Sequence, residues 1–345
     1  MTDRPSTTFS IAESQIDEKV AFLSRPTAYA EQPTYVEVRE THMSWVFLTE
    51  NLAYKLKKPV RYDYLDFSTL EARRDDCERE VRLNRRLTED VYLGVEALSV
   101  DHSDNMRIGH DGRIVDWLVK MRRLPADRML DHMICEKSVE VRSVDQLGSL
   151  LSDFYQHLQP VGMTAEQYVR RFARDIEANA RELSRSEFSL AADLVQRVSQ
   201  AQLHFTDEHR DTLASRAADE RIVEAHGDMR PEHICLTESK PAIIDCLEFN
   251  REFRLLDPVD ELCFFSLECD LLGAGWIGER VLESYMNDAD DRVLPELVHF
   301  YTAYRATLRA KIAAWHTLDH HVEQTPKWMN RATHYLEKAA RLLPA

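Results

Sequence analysis

Glycine is scarce, nine in 345 residues, and no G-x-x-x-x-G-K-[ST] run occurs, so the phosphate-cradling loop of that nucleotidase class is excluded. No G-x-S-x-G is present, which removes the strained serine turn of the α/β-hydrolases. The six cysteines (Cys77, Cys135, Cys235, Cys246, Cys263, Cys269) contain no C-x-x-C pair, and four sit among apolar neighbours, so free thiols are expected. Basic residues are outnumbered, 44 against 60 acidic ones, and the net charge of -16 opposes general binding to nucleic acid or to an anionic membrane. No apolar run is long enough to span a bilayer, and the polar start MTDRPSTTFS has no hydrophobic stretch behind it. Neither a membrane span nor a secretory leader is expected, and the expected location is cytoplasmic.

What is present suggests two lobes, since 345 residues exceed what a single core usually supports. Residues 1–34 read as a polar, peripheral N-terminal extension containing the short helical pattern ESQIDEKVAFL. VEVRE, WVFL and LAYKL, separated by THMS and TEN, read as three consecutive antiparallel strands. A helix follows from Ser68, where a serine with Glu71 three residues on forms a capping-box signature and Cys77, Val81, Leu83, Asn84 and Leu87 recur at helical spacing. VYLGVEALSV, MRIGH and RIVDWLVKM return to strand patterning. The first lobe is therefore 35–121, a connector with Pro125 occupies 122–127, and 128–345 is a mainly helical lobe. One β-like island interrupts the helices: HGDMRPEHICL followed by PAIIDCLEF.

Chemistry is concentrated in that island. The polar loop carries Asp228, and the apolar strand AIIDCL carries Asp245 at its end. Phosphoryl transfer needs such a pair: one carboxylate to orient the hydroxyl and take its proton, and another to hold the metal that bridges the nucleotide phosphates. Protein kinases arrange H-R-D-L-x-x-x-N and D-F-G in the same order. Upstream, Lys55 in LAYKLKKP can reach nucleotide phosphates from the third strand, with Lys57 a rival for the role, and Glu80 in the following helix can pair with that lysine. The competing readings are ordinary ones: Asp228 as a turn residue, Lys55 as an exposed strand residue, and Glu80 as one charge on a solvated helix face.

HGDMRPEHI and IIDCLEF followed by LLDPVDEL resemble the aminoglycoside phosphotransferase family, a branch of the protein-kinase-like fold. ETHMSWVFL, AYKLKKP, YLDFSTLE, LNRRL and VYLGV are similar to an uncharacterised bacterial group within that family. The resemblance covers roughly residues 35–290. It implies an α+β, two-lobed protein-kinase-like fold and O-phosphorylation of a small molecule by ATP or GTP with Mg²⁺. It implies Asp228 as the base, Asp245 as the principal metal ligand, Asp260 as a buried brace of the catalytic loop, and Arg230 as a contact to the transferring phosphate.

Two positions depart from the family pattern. His233 stands where the family has its second metal ligand, an Asn, so Mn²⁺ enters as an alternative cation or the ring binds phosphate instead. No glycine-rich loop precedes the third strand, and backbone amides of His42, Met43 and Ser44 would have to cover the phosphates. The runner-up function is a catalytically impaired nucleotide-binding regulator; a protein kinase fits less well, because no A-P-E activation segment follows Asp245. Glu248, Glu252 and Asp257 would favour a cationic small-molecule substrate. The literal G-x-G-x-x-G at Gly273, Gly275 and Gly278 has helical patterns on both sides and reads as a turn between helices. His316 and His320, with His321 beside them, have zinc-like spacing but no third ligand, and read as a polar helix face.

Overall fold

The structure is a computed structural model that describes residues 9–62, 65–318 and 325–343, with side chains from Ile16 onward. Two compact units make up the chain. The first takes the residues up to Met129 together with Ile234–Thr237 and Ala242–Arg251, and the second takes Leu130–His233, Glu238–Pro241 and the residues from Glu252 onward.

In the first unit, α1 (Phe9–Leu23) precedes β1 (Glu37–Glu40), β2 (Ser44–Leu48) and β3 (Leu52–Lys57). The short β4 (Arg61–Tyr62) and β5 (Leu65–Asp66) lead into α2 (Leu70–Asn84), and β6 (Tyr92–Val100), β7 (Met106–Ile108) and β8 (Arg113–Arg122) complete a six-stranded antiparallel sheet of order β1-β2-β3-β8-β6-β7. Strand alternation sorts β3 between two cores. Tyr54 and Leu56 join Phe47, Leu98, Leu118, Leu23 and Tyr29 on one face, and Ala53 joins Val119, Met121, Cys77 and Val81 on the face covered by α2. The same period of two sends Lys55 and Lys57 to the α2 side.

Two local expectations are corrected. From Ile16 onward the N-terminal segment is not peripheral: Leu23 and Tyr29 are core residues, and Lys19 donates to Asp116 Oδ2 at 2.7 Å. Helix α2 is capped by Thr69, whose Oγ1 accepts from the Ala72 N–H at 3.1 Å, and not by a Ser68–Glu71 box. Ser68 instead donates its N–H and its hydroxyl to Asp66 Oδ1, an Asx-type turn that competes with the cap.

The second unit contains α3 (Leu130–Cys135), α4 (Val141–His157), α5 (Ala165–Leu183), α6 (Ala192–Glu208), α7 (Arg210–Ala218), α8 (Pro258–Leu271), α9 (Gly275–Asp288), α10 (Pro295–Trp315) and α11 (Thr325–Leu342). Of the short strands β9 (Val223–Glu224), β10 (Ile234–Cys235), β11 (Ala242–Ile243) and β12 (Leu255–Leu256), β9 pairs with β12 in this unit, and β10 pairs with β11 in the first. Small residues on α10, namely Ala303, Ala306, Ala310, Ala313 and Ala314, let it lie close to Val195 and Val198 of α6 and to Tyr335 and Leu336 of α11. Gly273, at φ 79°, makes the turn between α8 and α9, and at Gly278 a Cβ would fall 2.2 Å from Ser266 Cα, so the glycine pattern serves helix packing. All six cysteines are free. Among the described residues no helix is long and apolar enough to cross a membrane.

Candidate active site

In the first unit, Lys55 Nζ lies 3.0 Å from Glu80 Oε1 and 2.8 Å from Asp245 Oδ1, so the sequence-predicted lysine, glutamate and metal-binding aspartate converge. Burial works against charge on Lys55, but Asp245 and Glu80 more than offset it and hold its pKa well above the usual lysine range. Lys57, two residues on, shares the face and the partner. Its Nζ reaches Glu80 Oε2 at 2.7 Å and Asp76 Oδ2 at 2.8 Å, and it also pairs with Glu248. The two differ in access, since the Lys55 side chain is 14% exposed and that of Lys57 only 1%. Lys57 is thus a buried hub, and Lys55 retains a path to a ligand.

Asp245 is positioned by side chains of the same unit. Thr88 Oγ1 donates to the Ile243 carbonyl and accepts from its N–H, both at 2.7 Å. The Asp245 N–H donates to Tyr92 Oη at 3.1 Å, and the Cys246 N–H donates to Asn84 Oδ1 at 2.9 Å. Held this way, Asp245 adopts φ 62°, a left-handed conformation uncommon for a residue with a Cβ and characteristic of functional turns. Its carboxylate is 43% exposed. A hard oxygen donor of this kind fits Mg²⁺, which takes one or two protein carboxylates and completes its shell with phosphate oxygens and water. Among the described residues, no group of three His, Cys, Asp or Glu side chains could hold a metal ion, so most of the shell would come from the nucleotide and water.

In the second unit, the Asp228 loop is tied by side chains to backbone. Arg230 Nη2 donates to Asp228 Oδ2 at 2.9 Å and also pairs with Glu232. His233 Nδ1 lies 2.9 Å from the Asp228 carbonyl oxygen, which can only accept, so Nδ1 carries the proton; Nε2 then faces Arg230 Nη2 at 3.2 Å as an acceptor. Both ring nitrogens are engaged within the loop, which argues against His233 as a metal ligand in this conformation. Burial tends to raise the Asp228 carboxyl, but Arg230, then His233, Arg309 and His226, outweigh it and hold the group below the usual carboxylate range.

The brace of this loop is Glu261, which the sequence reading passed over in favour of Asp260. Glu261 is fully buried and accepts the His226 N–H at 3.0 Å, the Gly227 N–H, and the Tyr155 hydroxyl at 2.7 Å. Asp260 instead takes both arms of Arg305, each at 2.6 Å, and locks α8 to α10. Adjacent residues on a helix point about 100° apart, so only one of the two can face the loop.

The expected phosphate-covering turn is partly committed. The Ser44 N–H already donates to Thr41 Oγ1 at 3.0 Å, the Met43 carbonyl accepts from Lys58 at 2.8 Å, and His42 stacks on Tyr62 with ring centroids 5.3 Å apart. Two of the three acidic residues read as favouring a cationic substrate are committed: Glu248 is on Lys57, and Asp257 caps α8 and holds Arg216 at 2.6 and 2.9 Å, while Glu252 is exposed. His316 stacks on Trp328 at 4.2 Å, and His320 and His321 lie outside the described residues. The sequence expectation of Glu80 leaves out Asp76 and the polar role of Asn84, its neighbours on the buried face of α2, whose i, i+4 spacing is the available signal.

These elements belong to the protein-kinase-like fold, and the chain has that fold. Among solved structures, a choline/ethanolamine kinase family protein from Mesorhizobium loti aligns with a TM-score of 0.53 at 16% identity, covering 94% of each chain. A glucosamine kinase in complex with glucosamine, ADP and inorganic phosphate aligns with a TM-score of 0.51 at 14% identity over 99% of this chain and 85% of that one. The GDP complex of aminoglycoside 2'-phosphotransferase-IIIa aligns with a TM-score of 0.50 at 13% identity over 90% and 93%. Uncharacterised proteins of Mycobacterium tuberculosis and Mycobacterium bovis are 33% identical over 280 residues. That stretch is 81% of this chain and 54% of each relative, so the chain spans about half the length of the curated relatives it matches. No family model matches the chain.

Proposed function

We propose that the chain is a phosphotransferase that moves the γ-phosphoryl group of ATP or GTP onto a hydroxyl of a small molecule. The observation that carries this reading is the convergence of Lys55 on Glu80 and Asp245, since a buried lysine fixed by one carboxylate beside an accessible second one is what nucleotide phosphates and their cation require. The complexes of the structural neighbours with ADP and GDP support nucleotide binding in the same fold.

In this mechanism Lys55 binds the nucleotide phosphates and Glu80 keeps its ammonium oriented. Asp245 would hold Mg²⁺, which would supply positive charge against the nucleotide phosphates. Asp228 accepts a hydrogen bond from the acceptor hydroxyl and takes its proton as the new O–P bond forms and the bond to the nucleoside diphosphate breaks. Because its carboxyl is held low, Asp228 is a weak base whose main contribution is orientation, which suits a loose transition state in which the proton leaves late. Arg230 offsets charge that develops on the phosphoryl group.

The test is ADP or GDP release with Mg²⁺ over a panel of hydroxylated metabolites, run beside nucleotide-dependent thermal shift. Transfer to any small-molecule hydroxyl that is lost in Asp228→Asn supports the reading. Nucleotide stabilisation with no turnover across the panel would instead identify a nucleotide-binding regulator.

A further inference from the structure

Helix α10 presents two arginines one turn apart to α8, and they differ in what remains open. Arg305 gives Nε and Nη2 to Asp260, each at 2.6 Å. Arg309 donates through Nε to Glu268 Oε1 at 3.2 Å and to Tyr335 Oη at 3.5 Å, and among the described residues Nη1 and Nη2 have no acceptor. Its guanidinium is flanked by the rings of Phe264 and Tyr335, 5.7 and 5.9 Å from Cζ, so the open fork is held in one orientation.

Glu268 is buried and serves two guanidinium groups, Arg309 and, at 3.5 Å, Arg331, while the Tyr335 hydroxyl donates to it at 2.6 Å. The carboxylates near the fork are thus Glu268, which takes Nε, and at longer range Asp228, neither of which occupies Nη1 or Nη2. The place is close to the chemistry: Phe264 follows Glu261, which holds the His226 and Gly227 backbone, by three residues, about 4.5 Å along the helix axis. The Arg309 charge is also among those that lower the Asp228 carboxyl.

We infer that the open fork of Arg309 binds a carboxylate on the acceptor molecule, so that the substrate is a hydroxy acid and not an amino alcohol. The inference rests on the phosphotransferase reading for what happens to the bound molecule, but binding itself can be measured without it. Two coplanar guanidinium donors match the two oxygens of a planar carboxylate.

The test is calorimetry without nucleotide, using D-gluconate and glycerate as probes against their neutral counterparts glucitol and glycerol and the amine D-glucosamine. The acids are expected to bind at least about tenfold more tightly than their neutral counterparts, and Arg309→Met is expected to erase that preference while Arg309→Lys keeps part of it. Glu268→Gln removes the competing charge, still accepts from Tyr335, and is expected to tighten acid binding severalfold, which decides the matter if Arg309→Met does not fold. No acid preference in the wild type overturns the inference. So does acid binding indifferent to Arg309→Met. Phosphoryl transfer is scored separately as ADP release: acid bound but never phosphorylated sinks the phosphotransferase reading and leaves the anion site, whereas transfer to glucosamine or glycerol but not to the acids keeps the enzyme and removes the site.

Discussion

The lysine site of the first unit and the aspartate loop of the second handle charge by different means. In the first, regular elements do the positioning: strand period two puts Lys55 and Lys57 on one face, and helical period puts Asp76, Glu80 and Asn84 opposite them. In the second, Asp228 sits on irregular backbone whose N–H groups are collected by Glu261, a carboxylate 34 and 35 residues away in sequence. Charge on periodic elements tolerates local change in proportion to burial, while a loop held by one distant carboxylate depends on that carboxylate.

The largest expected effect is on Asp228, the one group the proposed chemistry cannot spare. Asp228→Asn keeps the size and one acceptor oxygen, so the fold and nucleotide affinity should survive while turnover falls by about two to four orders of magnitude. Wild-type turnover in this variant would sink the mechanism. Next come the two lysines, which sharpen the contrast between access and burial. Lys57→Ala leaves Glu80, Asp76 and Glu248 facing one another without their shared cation and should destabilise the protein by about 3–5 kcal/mol in denaturant titrations. Lys55→Ala should cost less stability and instead weaken nucleotide binding by about tenfold or more. A reversal of these two patterns would make Lys57 the phosphate ligand.

The same contrast explains what the sequence made legible. The kinase-like order of strand lysine and helix glutamate points to Lys55 and Glu80, with Lys57 a rival two residues on, and the structure pairs Lys55 with Glu80 at 3.0 Å and Lys57 with it at 2.7 Å. The order of sheet, helix and helical region followed from hydrophobic period and agrees with the α+β, kinase-like fold. Asp260 and Glu261 could not be separated, because neighbouring acidic residues at a helix start look alike until the helix's rotation against the loop is known. His233 resisted for a related reason: its role depends on which oxygen its Nδ1 meets, a contact made by loop conformation and not by spacing. The segment 1–34 reads as peripheral because it opens on a polar stretch, yet Leu23 and Tyr29 within it are buried.

Glu261 offers a smaller effect that tests whether the loop depends on one carboxylate. Glu261→Gln retains an acceptor but turns an amide toward a second backbone N–H, and should cost about 1–3 kcal/mol in stability. Its turnover should fall further than that of Asp260→Asn at matched stability, since Asp260 touches Arg305 and not the loop. Equal turnover in the two variants at equal stability would show that the loop does not rely on Glu261.

The smallest effect concerns pH and the partner of Asp228. Burial alone would raise this carboxyl, and Arg230 makes the largest of the contributions that bring it below the usual range. The folded pKa is therefore lowered, and the ionised form contributes stability that is present above the unfolded pKa and lost as pH falls through the folded one. The same shift keeps the base ionised, so the acid limb of kcat/KM that belongs to Asp228 lies below that of an ordinary aspartate. Arg230→Met removes the leading opposing charge and leaves burial in place. The acid limb should then move to higher pH, and the acid-side stability contribution of Asp228 should shrink or change sign. His233→Asn is the control: an amide can still donate to the Asp228 carbonyl and Arg230 stays in place, so the limb should stay close to that of the wild type. A limb unmoved in Arg230→Met would mean that the group titrating in kcat/KM is not Asp228.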